Sequence, residues 1–158
     1  MTREFYVSIE GTVQGKFKGE AEQETYPDKL VGLHFTYEVQ SPRDRTSGMA
    51  TGKRQHSPIV ITKAWGSATP QLFQALISNE VLRTVFIEFV RPNSVGETEV
   101  YHIVKLTNAM ISHIRQYTGS LDDEHSTCDL EDITLMFQRI EMQNLPSKII
   151  AIDEWLRE

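Results

Sequence analysis

The chain has 158 residues, a length typical of one domain (residues 1–158) that can bury its own core. Its formal net charge of −6 argues against a nucleic-acid-binding protein, because contacts to phosphates require a basic surface. The single cysteine, Cys128, excludes an internal disulfide, and no apolar run approaches the ~20 residues of a membrane-spanning helix. The first residues lack the apolar core of a secretory signal. We therefore expect no membrane insertion, folding in the cytoplasm, and any export by a route that needs no cleaved signal.

Apolar residues at every second position predict half-buried strands of antiparallel sheets. Residues 97–117 form a longer run, and its alternation changes phase between Leu106 and Ala109. A bulge or bend near Thr107 and Asn108 would explain the change and would let one strand pass between two sheets, as barrels require. The shorter alternating sets are Phe5, Val7 and Ile9; Leu33, Phe35, Tyr37 and Val39; Val85, Ile87 and Phe89; and Ile133, Leu135 and Phe137.

One short helix is predicted at about residues 70–78. Thr69 suits the N-cap and Pro70 the first turn. An apolar stripe follows, and we expect it to bury against the core, so that the helix plugs one end of the barrel. The stripe consists of Leu72, Phe73, Leu76 and Ile77. The predicted fold class is thus mainly β, with two packed antiparallel sheets forming a β-barrel and one short α-helix.

A long extended loop is predicted at residues 41–53, where periodicity is lost and glycine, serine and proline accumulate. Residues 41–54 carry a net charge of +3, which leaves −9 for the rest of the chain. A basic loop on an acidic body favours contact between copies of the chain, although the charge alone fits a solvated loop equally well. The charged residues are Arg43, Asp44, Arg45, Lys53 and Arg54. The C-terminal residues after Pro146 fit either a strand or a short helix.

The sequence contains no catalytic motif, and it predicts no enzyme and no cofactor. Five histidines are scattered, and Cys128 beside His125 is a poor nucleophile because acidic neighbours disfavour a thiolate. Residues 118–129 form an acidic connection, whose spacing does not match a calcium-binding EF-hand, so no metal is predicted. We interpret the acidic residues around it, including Glu131, as a solvated edge, and Lys16, Lys18 and Glu20 as edge charges that limit wrong strand pairing.

An ordered series of residues resembles the Hcp family, the ring-forming tube proteins of bacterial type VI secretion. A polar loop ends in Gly-x-Arg-x-His-x-Pro, a strand ending in Thr-Lys follows, and then a Thr-Pro helix start and a late Asp-x-Trp. One departure lies between the lysine and the helix, where this chain has Ala64-Trp65-Gly66 instead of acidic residues. The matching residues are Gly52, Arg54, His56, Pro58, Lys63, Thr69, Pro70, Leu72, Phe73, Asp153 and Trp155.

The resemblance implies a homohexameric ring that stacks on other rings into a tube within a contractile sheath. It implies a spike protein at the tip, small effector proteins carried in the ring lumen, and assembly in the cytoplasm before secretion. The loop at residues 41–53 would then stack ring on ring, ordering on contact. The alternative is a monomeric or dimeric barrel that binds a small molecule in its interior.

Overall fold

The computed structural model describes residues 4–20, 28–118 and 129–155. All strand pairs in these ranges are antiparallel, and the helix that they include, of nine residues, is too short to cross a membrane. The acidic connection, His125 and Cys128 lie outside the described residues. The elements are β1 (Phe5–Gly11), β2 (Gly15–Lys16), β3 (Leu30–Gly32), β4 (His34–Thr36), β5 (Val39–Gln40), β6 (Gln55–His56), β7 (Ile59–Ala64), α1 (Thr69–Ile77), β8 (Leu82–Pro92), β9 (Thr98–Tyr117), β10 (Leu130–Met136), β11 (Arg139–Asn144) and β12 (Ile149–Glu154).

The alternating strands form the core, as predicted. On β1, Val7 is at most a few per cent exposed and stands opposite the buried Ile87 of β8. Successive side chains of a strand point to opposite faces, so one residue in two reaches the interior. The same rule buries Ile133 and Leu135 on β10.

The long strand β9 bends at Asn108, whose φ is +51°. Before the bend β9 pairs with β8 and β11, and after it with β10. Leu106 and Ala109 are both fully buried although they are three positions apart. The predicted bend, change of phase and passage between two sheets are therefore confirmed.

Residues 30–36 close the sheet into a barrel. Their first half, β3, pairs with β1, and their second half, β4, pairs with β7. Since β1, β8, β9, β10 and β7 pair in that order, this one segment joins the two ends. The predicted strand over residues 33–39 is thus two short strands, β4 and the start of β5, because the chain leaves the pairing with β7 for the pairing with β6.

The helix α1 covers one end of the barrel, but its buried face differs from the predicted one. Its N-cap is Ala68 rather than Thr69, and Phe73 and Ile77 are 55% and 57% exposed. Successive helical residues turn by about 100°, so a face centred on Leu72 and Ala75 turns Phe73 outward. The prediction that Phe73 is buried was wrong.

The barrel interior is filled by side chains. Leu72 points into it, where it lines a cavity of only about 10 Å³ together with Ile61 and Ile133. That volume holds about one water molecule. A ligand-binding barrel needs a cavity of roughly 300 Å³ or more, which this interior does not provide.

The C-terminal segment is a strand, which decides between the two alternatives. β12 pairs with β11 around a turn in which Lys148 adopts a φ of +60° and Asn144 accepts hydrogen bonds from Ser147. Within the described residues, β12 has no strand on its other side. It is an apolar edge, and its exposed residues include Ile149, Ile150 and Ile152.

Replacement of Leu72 by alanine should lower the free energy of unfolding by about 2–5 kcal/mol, because it enlarges a cavity beneath the plug helix. Phe73→Ala is the matched control and should cost less than about 1 kcal/mol, since that ring is largely exposed. Urea denaturation of both variants measures the difference. Equal costs would contradict the observed orientation of the helix.

Candidate functional site

The loop at residues 41–53 is a narrow exposed arm. At its base β5 pairs with β6, and a further bridge joins Arg43 to Ala50. Every residue from 43 to 55 is exposed. The predicted long loop is therefore confirmed, and it is available for contact with another molecule.

A turn shapes the tip of the arm. The Asp44 carboxylate accepts hydrogen bonds from the Thr46 backbone N–H and the Ser47 hydroxyl, and these bonds lower the pKa of Asp44. The Gly48 N–H donates to the Asp44 carbonyl, and Gly48 adopts a φ of +73° that favours glycine. The tip is thus formed within one subunit, and the expected ordering on contact is not needed.

A buried histidine joins the arm to the barrel. His56 is 8% exposed, with Nδ1 2.6 Å from the Tyr37 hydroxyl and Nε2 2.7 Å from Asp153 Oδ2. Arg54 Nε donates to the same carboxylate oxygen. Residues that are 97 and 99 positions apart in the sequence therefore fasten the base of the arm to β12.

Aromatic rings enclose this histidine. The ring centroids of Trp155 and Phe137 each lie 5.6 Å from that of His56. Asp153 and Trp155 are two positions apart, so they leave the chain on the same side and both reach His56. The Asp-x-Trp spacing is thus explained, and Trp155 packs against the core.

The ion pair at the arm's base stabilises the charged carboxylate. A hydrogen bond from the Arg54 guanidinium lowers the pKa of Asp153 to about 2; burial opposes this shift and the contact with His56 adds to it. The charge of Arg54 is thus partnered within the subunit, and the stacking role predicted for the loop stays a prediction.

A second polar cluster lies at the opposite end of β7. Lys63 continues the inward face of Ile59 and Ile61 and is 1% exposed. Its ammonium lies 2.6 Å from Glu131 Oε1, 3.0 Å from Glu20 Oε1 and 2.8 Å from the Ala64 carbonyl. The Thr69 hydroxyl also donates to Glu131. Two of the motif residues, Lys63 and Thr69, therefore meet at one carboxylate that ties the plug helix to the barrel.

Both acids of this cluster lie elsewhere than the sequence predicts. Glu131 is fully buried instead of lying on a solvated edge, and Glu20 faces inward instead of guarding an edge. The alternation of side chains along β10 was the available signal. Glu131 lies two positions before the inward-facing Ile133, so both side chains point to the interior. For Glu20 no comparable signal exists, since it lies outside any strand.

Glu80 is a further buried carboxylate that sequence analysis missed. It is 5% exposed and accepts hydrogen bonds from the backbone N–H groups of Val13 and Gln14 and from the Gln14 side chain. Burial raises its pKa, but these bonds outweigh that effect and hold the pKa below its usual value. A side chain at Gly11 would come within 1.9 Å of Glu80 Oε2 and would have to displace this carboxylate from its hydrogen bonds.

The remaining motif residues have structural positions. Pro70 lies in the first turn of α1, as predicted, Pro58 precedes β7, and Gly52 lies on the exposed arm. Among residues 4–20, 28–118 and 129–155, no group of three or more His, Cys, Asp or Glu side chains is arranged to hold a metal ion.

Comparison with known proteins identifies relatives. A family model described as "Type VI secretion system effector, Hcp" matches residues 6–143. The chain is 35% identical over 162 residues to the "Major exported protein" of Pseudomonas aeruginosa, covering 95% of this chain and 94% of that protein. A solved secreted Hcp protein from Pseudomonas aeruginosa is 30% identical, with a TM-score of 0.79 over 98% and 99% of the two chains. The crystal structure of another Hcp protein, 22% identical, shares the fold with a TM-score of 0.91 over 99% of both chains.

The Asp153 network predicts an acid-sensitive contribution to stability. The pKa of Asp153 is lowered from 3.8 to about 2 on folding, so its stabilising effect is fully present above pH 4 and is lost as the pH falls through 2. Asp153→Asn should lower the free energy of unfolding by about 1.5–3 kcal/mol at pH 7, and the difference from the wild type should shrink between pH 4 and pH 2.

Urea denaturation at pH 7, 4 and 2.5 measures this effect. Glu154→Gln, which removes a neighbouring carboxylate from the same strand, is the control and should retain the acid sensitivity of the wild type. The free energy of unfolding of Asp153→Asn could instead differ from that of the wild type by the same amount at all three pH values. That result would contradict the assigned role of the ion pair.

Proposed function

Because the chain belongs to the Hcp family of type VI secretion proteins, we propose that it is a tube subunit that assembles by contacts between copies. Six copies close into a ring, and rings stack end to end into the inner tube. The observation that carries this proposal is the exposed basic arm, whose tip is preformed and whose base is fastened to a closed barrel. An arm held in this way loses little conformational entropy when it binds.

The small-molecule barrel is not supported, because the family match places the chain among tube proteins and the barrel interior is filled. The family is one of structural, secreted proteins, and we propose that this chain has no catalytic activity. Assembly in the cytoplasm, followed by secretion without a cleaved signal, agrees with the exported relative. The spike protein, the contractile sheath and small effectors carried in the lumen are its proposed partners.

The lateral contact within a ring is assigned to the edge strand β12. An open strand edge with exposed apolar side chains pairs readily with another chain, and monomeric proteins usually protect such edges. Ile149, Ile150 and Ile152 are 67%, 54% and 46% exposed on this edge. The ring contact would cover this apolar edge, while the arm is left for stacking between rings.

Reversal of the charges of Arg43 and Arg45 to glutamate should preserve the ring and its thermal midpoint but abolish tube growth and secretion. Exposed ion pairs contribute only ~0.2–1 kcal/mol each and are screened beyond ~8 Å at physiological salt. Stacking is therefore weak for one subunit and becomes effective when six act together.

Size-exclusion chromatography with light scattering checks the ring, and electron microscopy and a secretion assay check the tube. Arg43→Lys/Arg45→Lys, which retains both charges, is the control and should still grow tubes. If the glutamate variant polymerises normally, the arm has no role in stacking.

Substitution of Ile150 by lysine should convert the hexamer to monomers at micromolar concentration, because it buries a charge at the lateral contact. The monomer should keep its fold, measured by circular dichroism, since Ile150 is largely exposed within one subunit. Val13→Lys, at a residue that is 83% exposed in the turn between β1 and β2, is the control and should remain hexameric. A hexameric Ile150→Lys variant, measured by light scattering, would place the lateral contact elsewhere.

A further inference from the structure

An open pocket of about 540 Å³ lies where β7 ends. Trp65, which stands where the family has acidic residues, forms part of its wall and is 43% exposed. The indole is held in place by a 2.8 Å hydrogen bond from Nε1 to the Leu130 carbonyl. Two carboxylates, Glu4 and Glu20, line the pocket with it. An aromatic face beside carboxylates is the combination that recognises a guanidinium group.

The pocket is short of positive charge. Glu20 shares its partner Lys63 with Glu131, so two carboxylates face one ammonium. With Glu4 there are three acids against one base, a net charge of −2. Burial raises the pKa of Glu20, and the neighbouring Glu131 adds to this effect, while Lys63 opposes it. A cation that entered the pocket would therefore relieve an unbalanced charge.

The pocket and the basic arm lie at opposite ends of the same pair of strands. The arm leaves the barrel after β4 and re-enters it before Ile59, the first residue of β7. The pocket residues Leu33 and Ala64 lie before β4 and at the end of β7. Because β4 and β7 are antiparallel, the two sites are separated by the length of β7, about 17 Å. Stacking of identical subunits head to tail requires two different, complementary surfaces at opposite ends, which is what this arrangement provides.

We propose that this pocket receives the arginines of the arm tip, Arg43 and Arg45, from a subunit of the next ring. The inference rests on the proposed stacking function and names the receiving surface. The occupant is a second copy of this chain, because residues 41–54 carry a charge of +3 on an exposed arm while the remainder of the chain carries −9. A guanidinium would stack on Trp65 and pair with Glu4 and Glu20.

Charge reversal on both sides tests the proposal. Glu4→Arg places a positive charge in the pocket and should raise the ring concentration required for tube growth at least about tenfold, like Arg43→Glu/Arg45→Glu, while both remain hexameric. Below that raised concentration, an equimolar mixture of the two kinds of ring should grow tubes although neither grows alone. In an alternating tube each wild-type arm meets a wild-type pocket, and each reversed arm meets the positive charge introduced at position 4. Glu10→Arg, an exposed carboxylate at the other end of β1, is the control and should stack like the wild type.

The outcomes separate this inference from the function on which it rests. If Glu4→Arg rings grow tubes normally while the arm variant does not, stacking by the arm stands and the pocket is not its receptor. If the arm variant itself grows tubes normally, the proposed stacking function fails. Should Glu4→Arg not fold, Glu4→Gln and Trp65→Ala provide smaller changes. Both should then raise the required ring concentration; wild-type growth by both would overturn the inference.

Discussion

The closure of the barrel by residues 30–36 is the constraint on which the rest of the structure depends. This segment pairs with β1 and then with β7, and it converts an open sheet into a barrel with two distinct ends. The arm leaves at one end of the β4–β7 pair and the acidic pocket opens at the other. Closure also removes strand edges that would otherwise pair with other chains, so that β12 stands out as an exposed apolar edge.

Two polar networks hold the two ends of β7 in different ways. The pair of Lys63 and Glu131 is fully buried, and a buried ion pair adds little net stability because desolvation offsets its attraction. The pair instead fixes the position of β10 relative to β7, since any displacement of either strand would leave a buried charge without a partner. The network of His56 and Asp153 is partly exposed and is surrounded by aromatic rings. It fixes the direction in which the arm leaves the barrel.

The proposed assembly separates folding from association. The core residues of the barrel stabilise one subunit, whereas the tip of the arm and the apolar side chains on the edge of β12 are exposed and contribute little to that stability. Individually weak contacts suit a tube that must both form and come apart. The number of simultaneous contacts, rather than the strength of each, then decides whether two rings stay together. The preformed turn at Asp44 reduces the entropy that each such contact must overcome.

The sequence by itself determined the strands with regular alternation, the phase change in β9, the exposed arm and the family, because each leaves a local or ordered pattern of residues. It misjudged the buried face of α1, since Leu72, Phe73, Leu76 and Ile77 fit two orientations and only contact with the barrel selects one. It misplaced Glu20 and Glu131, because a charged residue is assigned to the surface unless its buried partner is known. The meeting of Arg54, His56 and Asp153, and the pocket beside Trp65, depend on residues far apart in the chain. Only the tertiary structure decided these, because closing the barrel is what brings the distant segments together.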